Sequence, residues 1–312
     1  MIEGPIYVAG HRGLVGSAVC RALAKANFTD VTVNSSAEVD LRDRNATFDA
    51  VGTARPRTLV MAAAKVGGIF ANASEPVDFL NDNLRIQTNL FEAAHAFDVD
   101  RVLFLGSSCI YPREAVQPIR EEALLTGPLE PTNEAYAIAK ISGVVATRGY
   151  RTQFGRRWIS AMPTNLYGPG DNFDLTSSHV IPAMIRKFDD AQRLGVPVTL
   201  WGTGSPRREF LHSDDVASAL LCMLEHYDDA SPVNVGSGSD VSIRDLAHII
   251  AEVVGFDGEI VWDSSKPDGT PRKLLDVSRL SSLGWSPAIE LRDGIASTYS
   301  WYREHYDHDS NH

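Results

Sequence analysis

Cysteine is scarce in this 312-residue chain: Cys20, Cys109 and Cys222 are an odd number, widely spaced, with no Cys-x-x-Cys pair and no Cys/His metal-ligand pattern. That argues against a disulfide framework or a structural zinc site and favours a reducing compartment. Long apolar runs are missing too. No stretch approaches the roughly 20 residues that span a bilayer, and no basic segment followed by an apolar one precedes Pro5-Ile-Tyr-Val-Ala-Gly10. The expectation is a soluble, cytoplasmic protein without membrane or metal partners. Positive charge is also short, with 29 Lys and Arg against 40 Asp and Glu and a formal net charge of −11. A general affinity for nucleic acid needs a basic face and is not expected. An anionic small ligand would have to be met by a few local Arg, Lys and backbone N–H groups.

What is present is an alternation of short β-branched runs with longer helical patterns, which predicts βαβ units and a parallel sheet. Strands are expected at Ile6–Ala9, Val31–Asn34, Thr58–Ala62, Val102–Gly106 and Trp158–Met162, with helices near Ser17–Ala26, Val77–Phe97 and Asn133–Phe154. Beyond Gly170 the texture turns irregular, with helical patterns near Asp214–Leu224 and Ile243–Val254. The reading is an α/β protein: a doubly wound parallel sheet over residues 1–170, some later segments returning to it, and a smaller α/β substrate domain over 171–312. The tail from about Tyr306, with two histidines near acidic residues, reads as a frayed solvated end.

The first strand–helix junction carries Gly10, His11, Arg12, Gly13, Leu14, Val15 and Gly16. Glycines at this spacing let the backbone turn tightly and approach a pyrophosphate at the helix N-terminus. The second strand ends in Val33-Asn34-Ser35-Ser36, without the strand-end acid that holds the ribose 2′-hydroxyl of NAD; with Arg12 nearby, this favours NADP. Asp40 and Leu41 are placed either to flank the adenine or, for Asp40, to cap a helix.

Tyr136 and Lys140 stand four apart on an expected helix and so share a face. An ammonium beside a phenol lowers the phenol pKa, so that Tyr136 can pass a proton to a carbonyl oxygen. Ser107 ends the fourth strand at the carboxyl edge, where such sheets hold ligands. Cys109 lies two residues on and is either a buried small hydrophobe or a reactive thiolate. His179 is either an acid near neutral pH or the cap of the following helix.

Several strings here resemble the GDP-L-fucose synthases, within the extended short-chain dehydrogenases/reductases, from about residue 5 to residue 303. They are Gly10-His-Arg-Gly-Leu-Val-Gly16, Ala62-Ala-Ala-Lys-Val-Gly-Gly68, Gly106-Ser-Ser-Cys-Ile-Tyr-Pro112 and Glu130-Pro-Thr-Asn-Glu-Ala-Tyr-Ala-Ile-Ala-Lys140. Further along come Met162-Pro-Thr-Asn-Leu-Tyr-Gly-Pro169, Ser178-His-Val-Ile-Pro182, Arg208-Glu-Phe-Leu-His212 and Lys266-Pro-Asp-Gly-Thr-Pro-Arg-Lys273. The resemblance implies a Rossmann-type fold, a homodimer on paired helices, and a reductive triad of Ser107, Tyr136 and Lys140. It implies Cys109 and His179 as the acid/base pair of an epimerisation. By the same resemblance NADP(H) would run along Gly10–Gly16, Ser36, Asp40, Leu41, Leu105, Gly106, Ser107, Ser108, Tyr136, Lys140, Pro163, Thr164, Asn165, Leu166 and His179. A GDP-sugar would meet Lys187, Trp201, Arg208 and Asp268. The family often carries arginine where this chain has Ser36, and Lys187 keeps a charge without the bidentate fork of arginine. Trp201 is also open to plain core packing.

The implied reaction is 3,5-epimerisation and NADPH-dependent 4-reduction of GDP-4-keto-6-deoxy-D-mannose. Two other readings stand beside it: a 3,5-epimerase or 4,6-dehydratase without net reduction, and a non-catalytic NADP-sensing regulator. A dehydratase typically places an Asp-Glu pair where this chain has Ser108-Cys109, and sensors usually lose the Tyr/Lys pair that is intact here.

Overall fold

The structure, a computed structural model, describes residues 2–266 and 268–306; the histidine-bearing tail beyond Tyr306 lies outside the described residues. In chain order the first part reads β1 (Ile6–Ala9), α1 (Leu14–Lys25), β2 (Val31–Thr32), α2 (Arg44–Ala54), β3 (Thr58–Met61), α3 (Ile69–Ser74), α4 (Pro76–Ala96), β4 (Arg101–Leu105), α5 (Glu134–Phe154) and β5 (Ile159–Pro163). Then come β6 (Asn165–Tyr167), α6 (Val180–Leu194), β7 (Val198–Trp201), β8 (Arg207–Arg208), β9 (Phe210–His212), α7 (Ser213–His226) and β10 (Val233–Val235). The chain closes with β11 (Val241–Ser242), α8 (Ile243–Val254), β12 (Ile260–Asp263), β13 (Arg272–Lys273), α9 (Ser278–Ser281) and α10 (Leu291–His305).

Six strands form one parallel sheet in the order β10-β5-β4-β3-β1-β2. Alternate residues leave each strand on opposite faces, and both faces are covered. Ile6, Val8, Leu103 and Leu105 join the core beneath α1 and α7, while Tyr7, Ala9, Val102 and Phe104 join the core beneath α2, α4 and α5. This two-sided burial explains why the strands read as nearly continuous apolar runs. It is the doubly wound Rossmann-type sheet that the alternation predicts. The chain steps outward from β1 to β2 and then returns across β1 to β3, so a crevice opens above the carboxyl ends of β1 and β3.

The remaining strands make small sheets, β12-β7, β6-β9 and β11-β8-β13. With α6, α8 and α10 they enclose a third core that includes Phe188, Leu246, Ile250, Ile295 and Tyr302. Among the described residues no helix is long and apolar enough to cross a membrane.

Of the helices outside the expected patterns, the three longest, α2, α6 and α10, each have a reason to escape a periodicity reading. In α2 few positions are buried, and its start is fixed by Asp43, whose carboxylate accepts from the Ala46 N–H at 2.8 Å. Pro182 resembles a breaker, yet it lies in the first turn of α6, where N–H groups have no helical partner to lose. Residues 291–305 are largely polar, and the side chains α10 buries are Ile295, Thr298 and Tyr302. Conversely β2 stops at Thr32 rather than Asn34, because the Glu38 carboxylate captures both the N–H and the hydroxyl of Ser35 at 2.7 Å and turns the chain.

Candidate active site

The phosphate loop is shaped by what it leaves out. Gly10 ends β1 with φ of +88°, and a Cβ there would come 2.6 Å from the Ala63 backbone nitrogen on the β3 side of the crevice. A Cβ on Gly16 would overlap the Gly10 carbonyl. The Gly13 N–H donates to Gly10 O at 3.0 Å, and Gly13 caps α1 with no side-chain acceptor across the helix end. Val15 is buried in the core, Leu14 is half-buried and Arg12 is exposed. His11 Nδ1 is buried without a partner. A cradle too tight for side chains, an uncapped helix start and an orphaned ring nitrogen fit a pyrophosphate.

At the β2 edge Ser36 is exposed. Asp40 accepts from the backbone and guanidinium of Arg42 at 2.9 Å, and its carboxyl is held below the usual range chiefly by that side chain. It caps no helix; Asp43 does. Leu41 packs its side chain on the core, and its carbonyl accepts from Asn89 at 2.9 Å.

The candidate reacting groups converge at the end of β4. Gly143 lets α5 lie directly on the sheet, since a Cβ there would come 2.6 Å from the Phe104 ring. One turn earlier, Lys140 Nζ therefore reaches the Leu105 carbonyl at 2.8 Å and stands 5.7 Å from the Tyr136 ring centre. The Gly106 N–H donates to Ala161 O at 2.8 Å, and the chain then turns through a short 3-10 segment, Ser108–Ile110. Ser107 Oγ accepts from the Cys109 N–H at 3.3 Å, and the Ser107 hydroxyl is near enough to the Tyr136 phenol to draw its pKa down. Ser108 and Cys109 are buried. Ser107, Cys109, Tyr136 and Lys140 are thus one cluster.

Its electrostatics depart from the expectation in one respect. The Tyr136 phenol is raised, not lowered: burial pushes it up, negative charge on Cys109 adds to this, and the Ser107 hydroxyl opposes it. The Lys140 ammonium is spent on the Leu105 carbonyl. Tyr136 therefore stays protonated at neutral pH, the form a proton donor needs. Lys140 itself is lowered to about 8 by burial, opposed by Cys109. Burial also raises the Cys109 thiol, and the groups that pull it back are Lys273 first, then Ser107 and Lys140.

Pro163 closes β5 in the core. The Thr164 N–H donates to Val235 O at 2.9 Å, Asn165 Nδ2 donates to Glu209 O at 2.9 Å, and Leu166 packs on the core. These bonds hold the strand-end backbone rather than leaving the side chains free. His179 caps α6 without a side-chain bond and, among the described residues, makes no hydrogen bond or ion pair to the four-residue cluster. Much of the residue is solvent-accessible, yet surrounding protein desolvates the imidazole and lowers its pKa. Beside it the Gly68 N–H donates to Ser177 O at 2.9 Å, which seats the start of α6 on the loop after β3.

A second group gathers at the end of β7. Trp201 is 67% exposed, which rules out core packing. Lys187 Nζ lies 6.0 Å and Lys266 Nζ 5.6 Å from its ring centre. Asp268 accepts from the Thr203 N–H at 2.7 Å and the Thr203 hydroxyl at 2.8 Å, tying its loop to the turn after Trp201. Arg208 is half-buried on β8, opposite Lys273 of β13, and burial lowers its pKa. Two lysines not named singly, though the loop they bound is expected at the diphosphate, are thereby drawn in. Lys266 reaches the Trp201 ring, and Lys273 feels Cys109, Arg208 and Glu130, with its own pKa lowered by burial. Both lie in the Lys266–Lys273 string, whose clustered basic ends were its visible signal.

Residues 6–236 match the NAD dependent epimerase/dehydratase family. The chain is 55% identical to a probable GDP-L-fucose synthase 1 of Oryza sativa subsp. japonica, over 96% of this chain and 92% of that protein. It is 50% identical to a GDP-L-fucose synthase of Escherichia coli (strain K12), over 98% of this chain and 99% of that protein. Among solved structures, a gdp-l-fucose synthetase from Naegleria fowleri bound to NADP aligns with a TM-score of 0.90 and 30% identity, over 97% of this chain and 96% of that one.

Proposed function

The chain belongs to the NAD dependent epimerase/dehydratase family and, within it, to the GDP-L-fucose synthases, and from that premise we propose that one site carries two chemistries on one carbonyl. The enzyme uses NADP(H) and converts GDP-4-keto-6-deoxy-D-mannose to GDP-L-fucose by 3,5-epimerisation and 4-reduction. Ser107, Tyr136 and Lys140 serve the reduction; Cys109 and His179 serve the epimerisations.

The keto group at carbon 4 acidifies the hydrogens on carbons 3 and 5. Cys109, raised by burial but drawn back toward ionisation by Lys273, Ser107 and Lys140, acts in its thiolate form to remove a proton from one face, and His179 returns one to the other, so each centre inverts through an enolate. Negative charge on the enolate oxygen develops beside the Tyr136 and Ser107 hydroxyls, donors already fixed in a water-poor place. When bound, NADPH supplies the hydride for carbon 4. Tyr136 then gives its proton to the carbonyl oxygen, Ser107 holds that oxygen, and Lys140 keeps the phenol in place from the Leu105 carbonyl. The cofactor is held by Gly10–Gly16 with Arg12, by Ser36, Asp40 and Leu41, and by the ends of β4 and β5 from Leu105 to Ser108 and Pro163 to Leu166. Residues 1–170 mainly hold it, and residues 171–312 mainly hold the sugar nucleotide.

The GDP moiety is taken by Lys187, Trp201, Arg208 and Asp268. Trp201 offers an apolar face flanked by cations, Arg208 meets the diphosphate, and Asp268 keeps the loop in register over the turn. The enzyme works in the cytoplasm as a homodimer across α4 and α5. Support for the dimer lies in Val77, Ile138 and Val145, apolar side chains left 65%, 44% and 48% exposed on those helices.

The observation that carries the reading is the joined Ser107–Cys109–Tyr136–Lys140 cluster, which unites a proton donor and a candidate base at one strand end. Mixing enzyme, NADPH and GDP-4-keto-6-deoxy-D-mannose should oxidise one NADPH per sugar and yield GDP-L-fucose by NMR. Epimerised sugar with no net NADPH oxidation would instead assign a pure epimerase.

A further inference from the structure

The second strand of this sheet ends without an acid, but the structure brings one back to it. β1 and β2 are parallel neighbours, so the loops that follow them rise from the same edge of the sheet. The first is the phosphate loop with His11 and Arg12; the second runs through Ser35 to Glu38. Glu38 folds back so that one carboxylate oxygen, Oε2, accepts from both the Ser35 N–H and the Ser35 hydroxyl at 2.7 Å. Both bonds end on the same oxygen, and the side chain is exposed, so the second oxygen faces solvent, where a bound molecule can reach it. The carboxyl is held low first by Ser35 and then by positive charge on Arg12 and His11 across the gap, while Tyr7 of β1 feels its negative charge. An ionised acceptor thus stands at the β2 edge, facing the arginine of the phosphate loop.

Those two charges make opposite demands on an adenosine ribose. A free 2′-hydroxyl is a donor and suits a carboxylate, whereas a 2′-phosphate carries between one and two negative charges and is repelled by it. Arg12 prefers the phosphate. We propose that Glu38, clasped by Ser35 at the end of β2, is a cofactor-selectivity residue: it accepts the ribose 2′-hydroxyl of NAD(H) and opposes the 2′-phosphate that Arg12 attracts. The chain therefore prefers NADP(H) by a narrower margin than Arg12 alone would set. This rests on the reading that the cofactor lies along Gly10–Gly16.

The test is binding, measured calorimetrically with NADP⁺ and with NAD⁺ on wild type, Glu38→Gln and Arg12→Ala. Glutamine keeps an acceptor for Ser35 and removes only the charge. In Glu38→Gln the Kd for NADP⁺ should fall about fivefold to tenfold, the size of one partly screened surface charge interaction, and that gain should shrink in high salt. The Kd for NAD⁺ should rise about threefold, as one hydrogen bond to a charged acceptor becomes one to a neutral acceptor. Arg12→Ala should move the ratio of the two constants the other way. An unchanged ratio in Glu38→Gln, or equal changes in both constants, would make Glu38 a turn residue only and overturn the proposal, with the cofactor reading intact. Wild type that binds neither dinucleotide would remove the cofactor reading and this proposal together.

Discussion

The six-stranded sheet and the small sheets behind it position their functional groups by different means. In the large sheet most strands are buried along their whole length, as in Arg101–Leu105 of β4, and the candidate groups either follow a strand within a few residues or sit on α5, which packs on the sheet. Gly10 follows β1, Ser107 and Cys109 follow β4, and Tyr136 and Lys140 share one helix face. The small sheets are made of strands of two to four residues, and in β7, Val198–Trp201, buried positions alternate with exposed ones. There Lys187, Trp201, Arg208 and Asp268 come from four separate segments and meet through pairings such as Arg272 with Arg207 and Lys273 with Arg208. The lesson is that the proposed reacting centre is built on a stiff scaffold, whereas the proposed nucleotide end is assembled from distant pieces held by few bonds. Damage to the first should abolish chemistry or folding; damage to the second should weaken binding.

The largest expected effect lies at the reacting centre. Tyr136→Phe should leave cofactor affinity nearly unchanged while hydride transfer, followed by stopped-flow absorbance of NADPH, falls roughly 10²–10⁴-fold, the usual share of a general acid. Next comes the scaffold itself. Trp158 is fully buried, stacks on Phe91 with centroids 5.6 Å apart, and donates to Val99 O at 3.2 Å. Trp158→Ala should cost about 3–5 kcal/mol in denaturant unfolding. A cost below 1 kcal/mol would mean the large sheet is less tightly specified than the comparison holds.

The nucleotide end should respond differently. Asp268→Ala frees the loop from Thr203, so KM for the GDP-sugar should rise about tenfold, the worth of one or two hydrogen bonds to a charged group, while unfolding stability stays within about 0.5 kcal/mol. A stability loss like that of Trp158→Ala would erase the distinction between the two regions. The smallest effect is a pH limb. With its pKa lowered to about 8, Lys140 is charged below that pH and loses its proton as pH rises through it. The rate constant for reduction should therefore decline above about pH 8, and a profile flat to pH 10 would remove the ammonium from the mechanism.

The same division explains what the sequence makes legible. The parallel sheet, the phosphate loop and the Ser-Tyr-Lys set are readable because strand burial and the i, i+4 helix face are local regularities. Asp40 is not the helix cap it could have been, because Asp43 takes that place and Arg42 binds the Asp40 carboxylate, and Glu38 stays hidden because only the Ser35 clasp returns it to the strand end. The direction of the Tyr136 shift is missed because spacing shows that lysine is near but not how the phenol is buried, nor that the ammonium donates to Leu105. Lys273 and Cys109 are 164 residues apart in the chain, and no periodicity links them. For Trp201, exposure alone excludes the core-packing alternative.

The central claim is that epimerisation and reduction share one carbonyl but use separable residues. It is tested most directly by hydrogen exchange on carbons 3 and 5 of the keto sugar in D₂O, followed by NMR with NADP⁺ present so that reduction cannot proceed. Cys109→Ser replaces a thiol that can ionise with a hydroxyl that stays protonated at neutral pH. The account predicts that deuterium incorporation in this variant collapses while NADPH, supplied in a separate reaction, still reduces some unepimerised sugar to a stereoisomer of the normal product. Wild-type exchange rates in Cys109→Ser would contradict it and leave Cys109 a packed thiol of the core.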